Sequence, residues 1–289
     1  MDTRHILLAT DLSSSSWRAI PHAARLAYLD GGDVTIAHAS AGTDGAAAAT
    51  ALSAIREGLE QMDVTARCES LTGPPVDALL RLCKDRDIGV LVVTKHGENA
   101  TGQTLGSVTF DLVRRSTVPV LVAHDPVTYE DPAVARPAHW DRILVTTDFS
   151  SASHSGVTTA AKLCQQVGAT LEILTVIVDA RCPLHVTAKD VEWATPPEEL
   201  NVWRARSESL LNEMAASWPD LDVETRAVCA HEAGAAIVAA ALEGSAGLIV
   251  VPAHGRGRVE AILLGSTSER VLQLSPLPVL VLRGGRFGG

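Results

Sequence analysis

A chain of 289 residues with a 46% hydrophobic share holds enough apolar material for one large or two ordinary domains, which excludes a disordered or fibrous protein. Its net charge of −10 argues against nucleic acid or an anionic membrane as a partner, because binding to a phosphate backbone needs a basic field. No apolar run approaches the roughly 20 residues that span a bilayer, and MDTRHILLATD has neither a charged leader nor a small-residue cleavage site, so a cytoplasmic protein is expected.

In chain order, short and almost wholly apolar strands are predicted at Ile6–Thr10, Val34–His38, a weaker Val64–Glu69, Ile88–Val93 and Val118–Ala123. A second set follows at Ile143–Thr147, Leu171–Val178, Val223–Val228, Leu248–Val251 and Pro278–Leu282. The two sets are copies. HILLATDLS (5–13) recurs as RILVTTDFS (142–150), and Gly31 matches Gly168 in the same register. Gly106-Ser107 recurs as Gly265-Ser266, and VPVLV (118–122) as LPVLV (277–281). Strands that are apolar on both faces and alternate with helical stretches predict an α/β fold of two tandem, doubly wound, Rossmann-like domains. Each has a five-stranded parallel sheet flanked by helices. The reading assigns 1–125 to the first domain, 126–139 to a Pro-rich linker and 140–289 to the second.

Two further stretches interrupt this scheme. The second copy carries an insertion, Asp179–Pro197, read as a lid or an interface arm ahead of a helix near Glu198–Trp218. Five scattered cysteines (68, 83, 164, 182 and 229), with no Cys-x2-Cys pair, are read as reduced thiols, and no metal site is expected.

Chemistry concentrates in Leu248–Leu282. A strand, a loop rich in Gly and Arg (His254–Arg258) and a helix start at Gly265-Ser266 make an anion site, since the first helical turn leaves backbone N–H groups unpaired at the positive end of the dipole. Gly255, Gly257 and Gly265 are expected to take positive φ and admit a ligand closely. Ser266 adds a hydroxyl, and Arg256 and Arg258 match phosphate geometry. Asp11 and Asp148 each follow a first strand, where ligands bind in open α/β sheets, yet Asp and Ser at such junctions also cap helices. The site is favoured for Asp148 and the cap for Asp11.

The run from Pro252-Ala253-His254-Gly255 through nine residues to Gly265-Ser266, then a helix and a Pro-Val-Leu-Val strand, resembles the nucleotide loop of universal stress protein (UspA-type) domains. Pro252 replaces the first glycine of that pattern. The resemblance implies a fold similar to adenine nucleotide alpha hydrolases and a site for ATP, with Mg2+. It places Asp148 and the backbone near Val176 at the adenine and ribose end, and Thr146, Thr147, Pro252, His254, Gly255, Arg256, Arg258, Gly265, Ser266, Thr267 and Ser268 around the nucleotide. In the first copy the loop starts at Thr94-Lys95-His96-Gly97, is one residue shorter and contains Glu98, whose carboxylate repels phosphate. Asp11, Gly97, Gly106 and Ser107 are therefore read as a weak or vestigial site.

The leading functional expectation is a nucleotide-binding regulatory or protective protein in the stress response, binding mainly in domain 2. A nucleotide-free scaffold of the same fold, acting through protein contacts, is the alternative. Enzymatic action comes last: no Gly-x4-Gly-Lys-Ser/Thr loop and no catalytic pair is present, which leaves slow ATP hydrolysis at most. The closing strands of both copies are expected to pair within the chain as a pseudo-dimer, with the insertion as the contact for a homodimer.

Overall fold

The computed structural model describes residues 1–40, 42, 45–95, 105–124, 135–182, 184–186, 191–193, 197–253 and 264–283. It divides into two compact units, Met1–His139 with Pro276–Gly289, and Trp140–Ser275.

The first unit runs β1 (His5–Ala9), α1 (Ile20–Asp30), β2 (Asp33–Ser40), α2 (Ala46–Glu60), β3 (Ala66–Thr72), α3 (Pro75–Asp85), β4 (Val90–Thr94), α4 (Ser107–Arg115) and β5 (Val120–Ala123). The second runs β6 (Arg142–Thr146), α5 (Ser151–Val167), β7 (Thr170–Val178), β8 (Leu184–Val186), β9 (Val191–Trp193), α6 (Asn201–Ala215), β10 (Val223–Ala230), α7 (Ala233–Glu243), β11 (Leu248–Pro252) and α8 (Ser266–Leu274). The last strand, β12 (Val279–Leu282), lies in the first unit.

In the first unit β5, β4, β1, β2 and β3 are parallel neighbours in that order, and β12 joins antiparallel to β5, with Val281 opposite Val120. In the second unit β11, β6, β7 and β10 are parallel neighbours. Central strands are covered on both faces: Ile6 and Leu7 in β1, and Ile143, Leu144 and Val145 in β6, have no exposed surface. That is why they read as unbroken apolar runs. β3 stands at an edge and alternates in burial, which accounts for its weaker signal.

Matched helices end by matched chemistry. Gly31 after α1 and Gly168 after α5 take φ of 61° and 73°, donating to the Ala27 and Cys164 carbonyls. A residue with a Cβ would be strained by roughly 1 kcal/mol there, so glycine recurs at both positions.

The insertion differs from a plain loop. β8 and β9 pair antiparallel, with Leu184 opposite Trp193, and the Trp193 indole N–H donates to Glu243 Oε2 at 3.1 Å. The expectation of five reduced cysteines is corrected in part. Cys182 and Cys229 form a disulfide, whereas Cys68, Cys83 and Cys164 are free. A separation of 47 residues hides this pair in the sequence; adjacency of β7 and β10 brings its ends together.

Candidate functional site

In each unit the first strand lies between the second and the fourth, so the chain leaves it in opposite directions and opens a crevice at the carboxyl ends of the strands. The residues that follow β1 and β6 therefore determine what faces that crevice.

After β6, Thr147 N–H extends the ladder to Leu174 O at 2.9 Å. Phe149 then takes φ of 62°. That costs an L-residue roughly 1–2 kcal/mol, and a close network compensates. Phe149 N–H donates to Thr147 Oγ1 at 3.0 Å, and Ser150 donates its N–H and hydroxyl to Asp148 Oδ1 at 3.0 and 2.6 Å. Ser150 in turn caps α5, accepting from Ser153 N–H at 3.2 Å. Asp148 is thereby held at the cavity edge without being the helix cap.

The first unit repeats the turn, though not the hydroxyl cap of the helix. Leu12 has φ of 66°, its N–H donates to Thr10 Oγ1 at 2.9 Å, and Ser13 donates N–H and hydroxyl to Asp11 Oδ1 at 3.0 and 2.6 Å. The reading of Asp11 as a helix cap is corrected: Ser15 occupies the cap position of the following 3-10 turn and Ala19 that of α1. Asp11 holds the same turn as Asp148. Thr175 and His38 were missed in the sequence and are also equivalent. Thr175 Oγ1 donates to Thr147 O at 2.8 Å, and His38 Nδ1 lies 2.9 Å from Thr10 O.

The crevice's other side is the fourth strand and the helix after it. Ser268 in α8 donates its hydroxyl to Pro252 O at 2.7 Å, and Gly265 N–H donates to Ala253 O at 2.8 Å. Pro252 ends β11 two residues beyond Val250, the last residue paired with β6. Gly265 has φ of −68°, which corrects the expectation of a positive value. What glycine contributes here is the lack of a side chain. No side chain caps α8, and Ser266 and Thr267 are exposed.

Thr146, Thr147, Asp148, Val176, Pro252, Gly265, Ser266, Thr267 and Ser268 all line one cavity of about 380 Å³ in the second unit. His254, Gly255, Arg256 and Arg258 lie outside the described residues. Leu174, Val178, Ala233 and Ile237 complete the apolar wall and were not foreseen. Ala233 and Ile237 share a face of α7 at i, i+4, a spacing that is legible only once the helix is known to border the cavity. In the first unit Asp11, Gly106 and Ser107 line a cavity of about 580 Å³, and Gly97 lies outside the described residues. Beside it Lys95 is buried, and desolvation lowers its pKa. Among the described residues no group of three His, Cys, Asp or Glu side chains is placed to hold a metal ion.

A model of the universal stress protein family matches residues 2–124 and 139–283, which together take in both crevices. The chain belongs to the universal stress protein family. A universal stress protein of Mycolicibacterium smegmatis is 30% identical, with 96% of each chain covered. One from Mycobacterium tuberculosis is 30% identical over 76% of this chain and 70% of its own. Among solved structures, a universal stress protein from Archaeoglobus fulgidus matches with a TM-score of 0.71 at 22% identity, covering 99% of this chain and 98% of that one. That likeness is one of fold. The family match spans both units, so this universal stress protein carries two domains of the family in tandem.

Proposed function

We propose that this universal stress protein binds an adenine nucleotide, ATP with Mg2+, mainly in its second domain, and serves as a regulatory or protective factor whose state follows the bound nucleotide. The observation that carries this reading is the meeting, in one cavity, of the uncapped N-terminus of α8 with the fixed carboxylate of Asp148. The first suits phosphates, through unpaired N–H groups, the dipole and the exposed hydroxyls of Ser266 and Thr267. The second suits the sugar or base, as an acceptor of their hydroxyl or amine hydrogens. Between them Val176 and Val178 offer an apolar floor for a flat ring. Arg256 and Arg258 in the loop after β11 supply charge that the acidic chain as a whole lacks, and Mg2+ is carried by the phosphates.

Preference for the second domain rests on the loops. The first loop is one residue shorter and brings Glu98 where the second has an arginine. Acid extraction of the purified protein and analysis of the released small molecules tests the proposal. One adenine nucleotide per chain is expected, either as purified or after incubation with ATP. Absence of nucleotide after incubation refutes it and favours the scaffold reading, which Pro252 supports by withdrawing a backbone donor at the end of β11.

A further inference from the structure

The carboxyl end of β7 and the start of α7 form one wall of the second cavity through Val178 and Ala233. Both segments converge on the Cys182–Cys229 disulfide, whose Cα atoms are 5.8 Å apart. Backbone bonds run beside it: Asp179 N–H donates to Ala230 O at 3.0 Å, and His231 N–H to Cys182 O at 2.9 Å. Directly after, the Glu232 carboxylate accepts from the N–H groups of Gly234 and Ala235 at 2.7 and 2.9 Å. The end of β10 and the residues just after it therefore set where α7 begins, and with it the position of Ala233.

The first domain has no counterpart. Ser40 pairs with Thr72 in its sheet as Ile177 pairs with Cys229 in the second, so Thr72 stands where Cys229 would. The pair accompanies the insertion that supplies Cys182. The second domain's other thiol is poorly placed for exchange. Its remaining cysteine, Cys164, is buried and its thiol is pushed up to about 12, which leaves almost no thiolate.

We propose that the Cys182–Cys229 disulfide is a redox latch on the second cavity, holding the wall in its binding arrangement when closed and lowering nucleotide affinity when a dithiol opens it. This rests on the nucleotide reading above. In the opening step one thiolate of the dithiol attacks a cysteine sulfur, the S–S bond breaks and a mixed disulfide forms. The second thiol of the reductant then displaces the remaining cysteine. Two electrons and two protons end on Cys182 and Cys229, and the reductant leaves as its own disulfide. A wall already fixed before binding loses less conformational freedom on binding, so the closed form is the tighter one. Both cysteines are buried, at 0% and 5% exposure, so attack requires the wall to part. By linkage, bound nucleotide protects the bond.

Calorimetric titration with ATP tests this on the full chain, oxidised with glutathione disulfide or reduced with dithiothreitol, beside the variant Cys182→Ala/Cys229→Ala. Reduction is expected to weaken binding about tenfold. The variant is expected to match the reduced form under both conditions, and saturating ATP to slow reduction, followed by the mass of the alkylated chain. Hydrogen exchange at the Asp179 and His231 amides reads the latch without nucleotide, and exchange faster on reduction is expected. Equal affinity in the two forms overturns the proposal, as does a chain in which both cysteines stay free after oxidation. Binding in neither form refutes the nucleotide reading instead. The exchange rates then decide, and equal rates overturn the latch.

Discussion

Ser150 donates both its backbone N–H and its hydroxyl to one oxygen of Asp148, at 3.0 and 2.6 Å, and Ser13 does the same to Asp11. Such a turn aims a carboxylate at the crevice while leaving helix capping to a neighbour. Charge and turn are therefore separable by mutation. Asp148→Asn keeps the acceptor oxygen and removes the charge; it is expected to weaken ATP binding at least about tenfold with the unfolding temperature nearly unchanged. Asp11→Asn is expected to leave affinity and a stoichiometry of one unaltered. Calorimetry on both variants checks this, and a loss confined to Asp11→Asn assigns the nucleotide to the first cavity.

Gly265 has φ of −68°, a conformation open to any residue, so adding a side chain there does not strain the backbone. On the nucleotide reading, a side chain there enters the space proposed for the phosphates. Gly265→Val is expected to abolish measurable ATP binding while the chain stays folded, as read by circular dichroism and calorimetry. Retained affinity removes the helix entrance from the site.

Glu172 lies almost wholly buried, and desolvation raises its pKa above the usual 4.5 despite nearby Arg226 and Arg142. The folded chain therefore holds this proton more tightly than the unfolded chain does. The stability this contributes is present below about pH 4.5 and is lost as pH rises through the folded value. Glu172→Gln imitates the protonated form. Its stability relative to the wild type is expected to increase as pH rises, and urea midpoints between about pH 4 and pH 8 check the sign.

β12 covers the edge of β5 through the pairs Val279–Val122, Leu280–Leu121 and Val281–Val120. Val120 and Leu121 are fully buried, so removing Pro276–Gly289 would bare an apolar edge strand. The shortened chain is expected to associate with itself, at a larger mass by light scattering. Unchanged mass and an unchanged unfolding midpoint would show that this edge needs no cover.

Much of the fold was legible because burial on both faces forces apolar residues into unbroken runs. Strands such as those that hold Ile6, Val34, Ile143 and Leu248 appear where such runs were read, whereas β3 and β10 are only partly buried and carry weaker runs. The hairpin β8–β9 was not legible, since strands of three residues carry no usable period.

The sequence by itself determined the repeat, the parallel α/β layers and the residue types that meet at the crevice, because local patterns of burial and turn chemistry need no partner to be read. The expected pairing of the two closing strands is present, with Val281 of β12 opposite Val120 of β5. Two things were left to the tertiary structure: it gave Asp11 and Asp148 the same kind of turn, and it joined Cys182 to Cys229. The disulfide depends on contact between segments 47 residues apart, and such contacts are fixed by packing and register, which leave no periodic trace along the sequence.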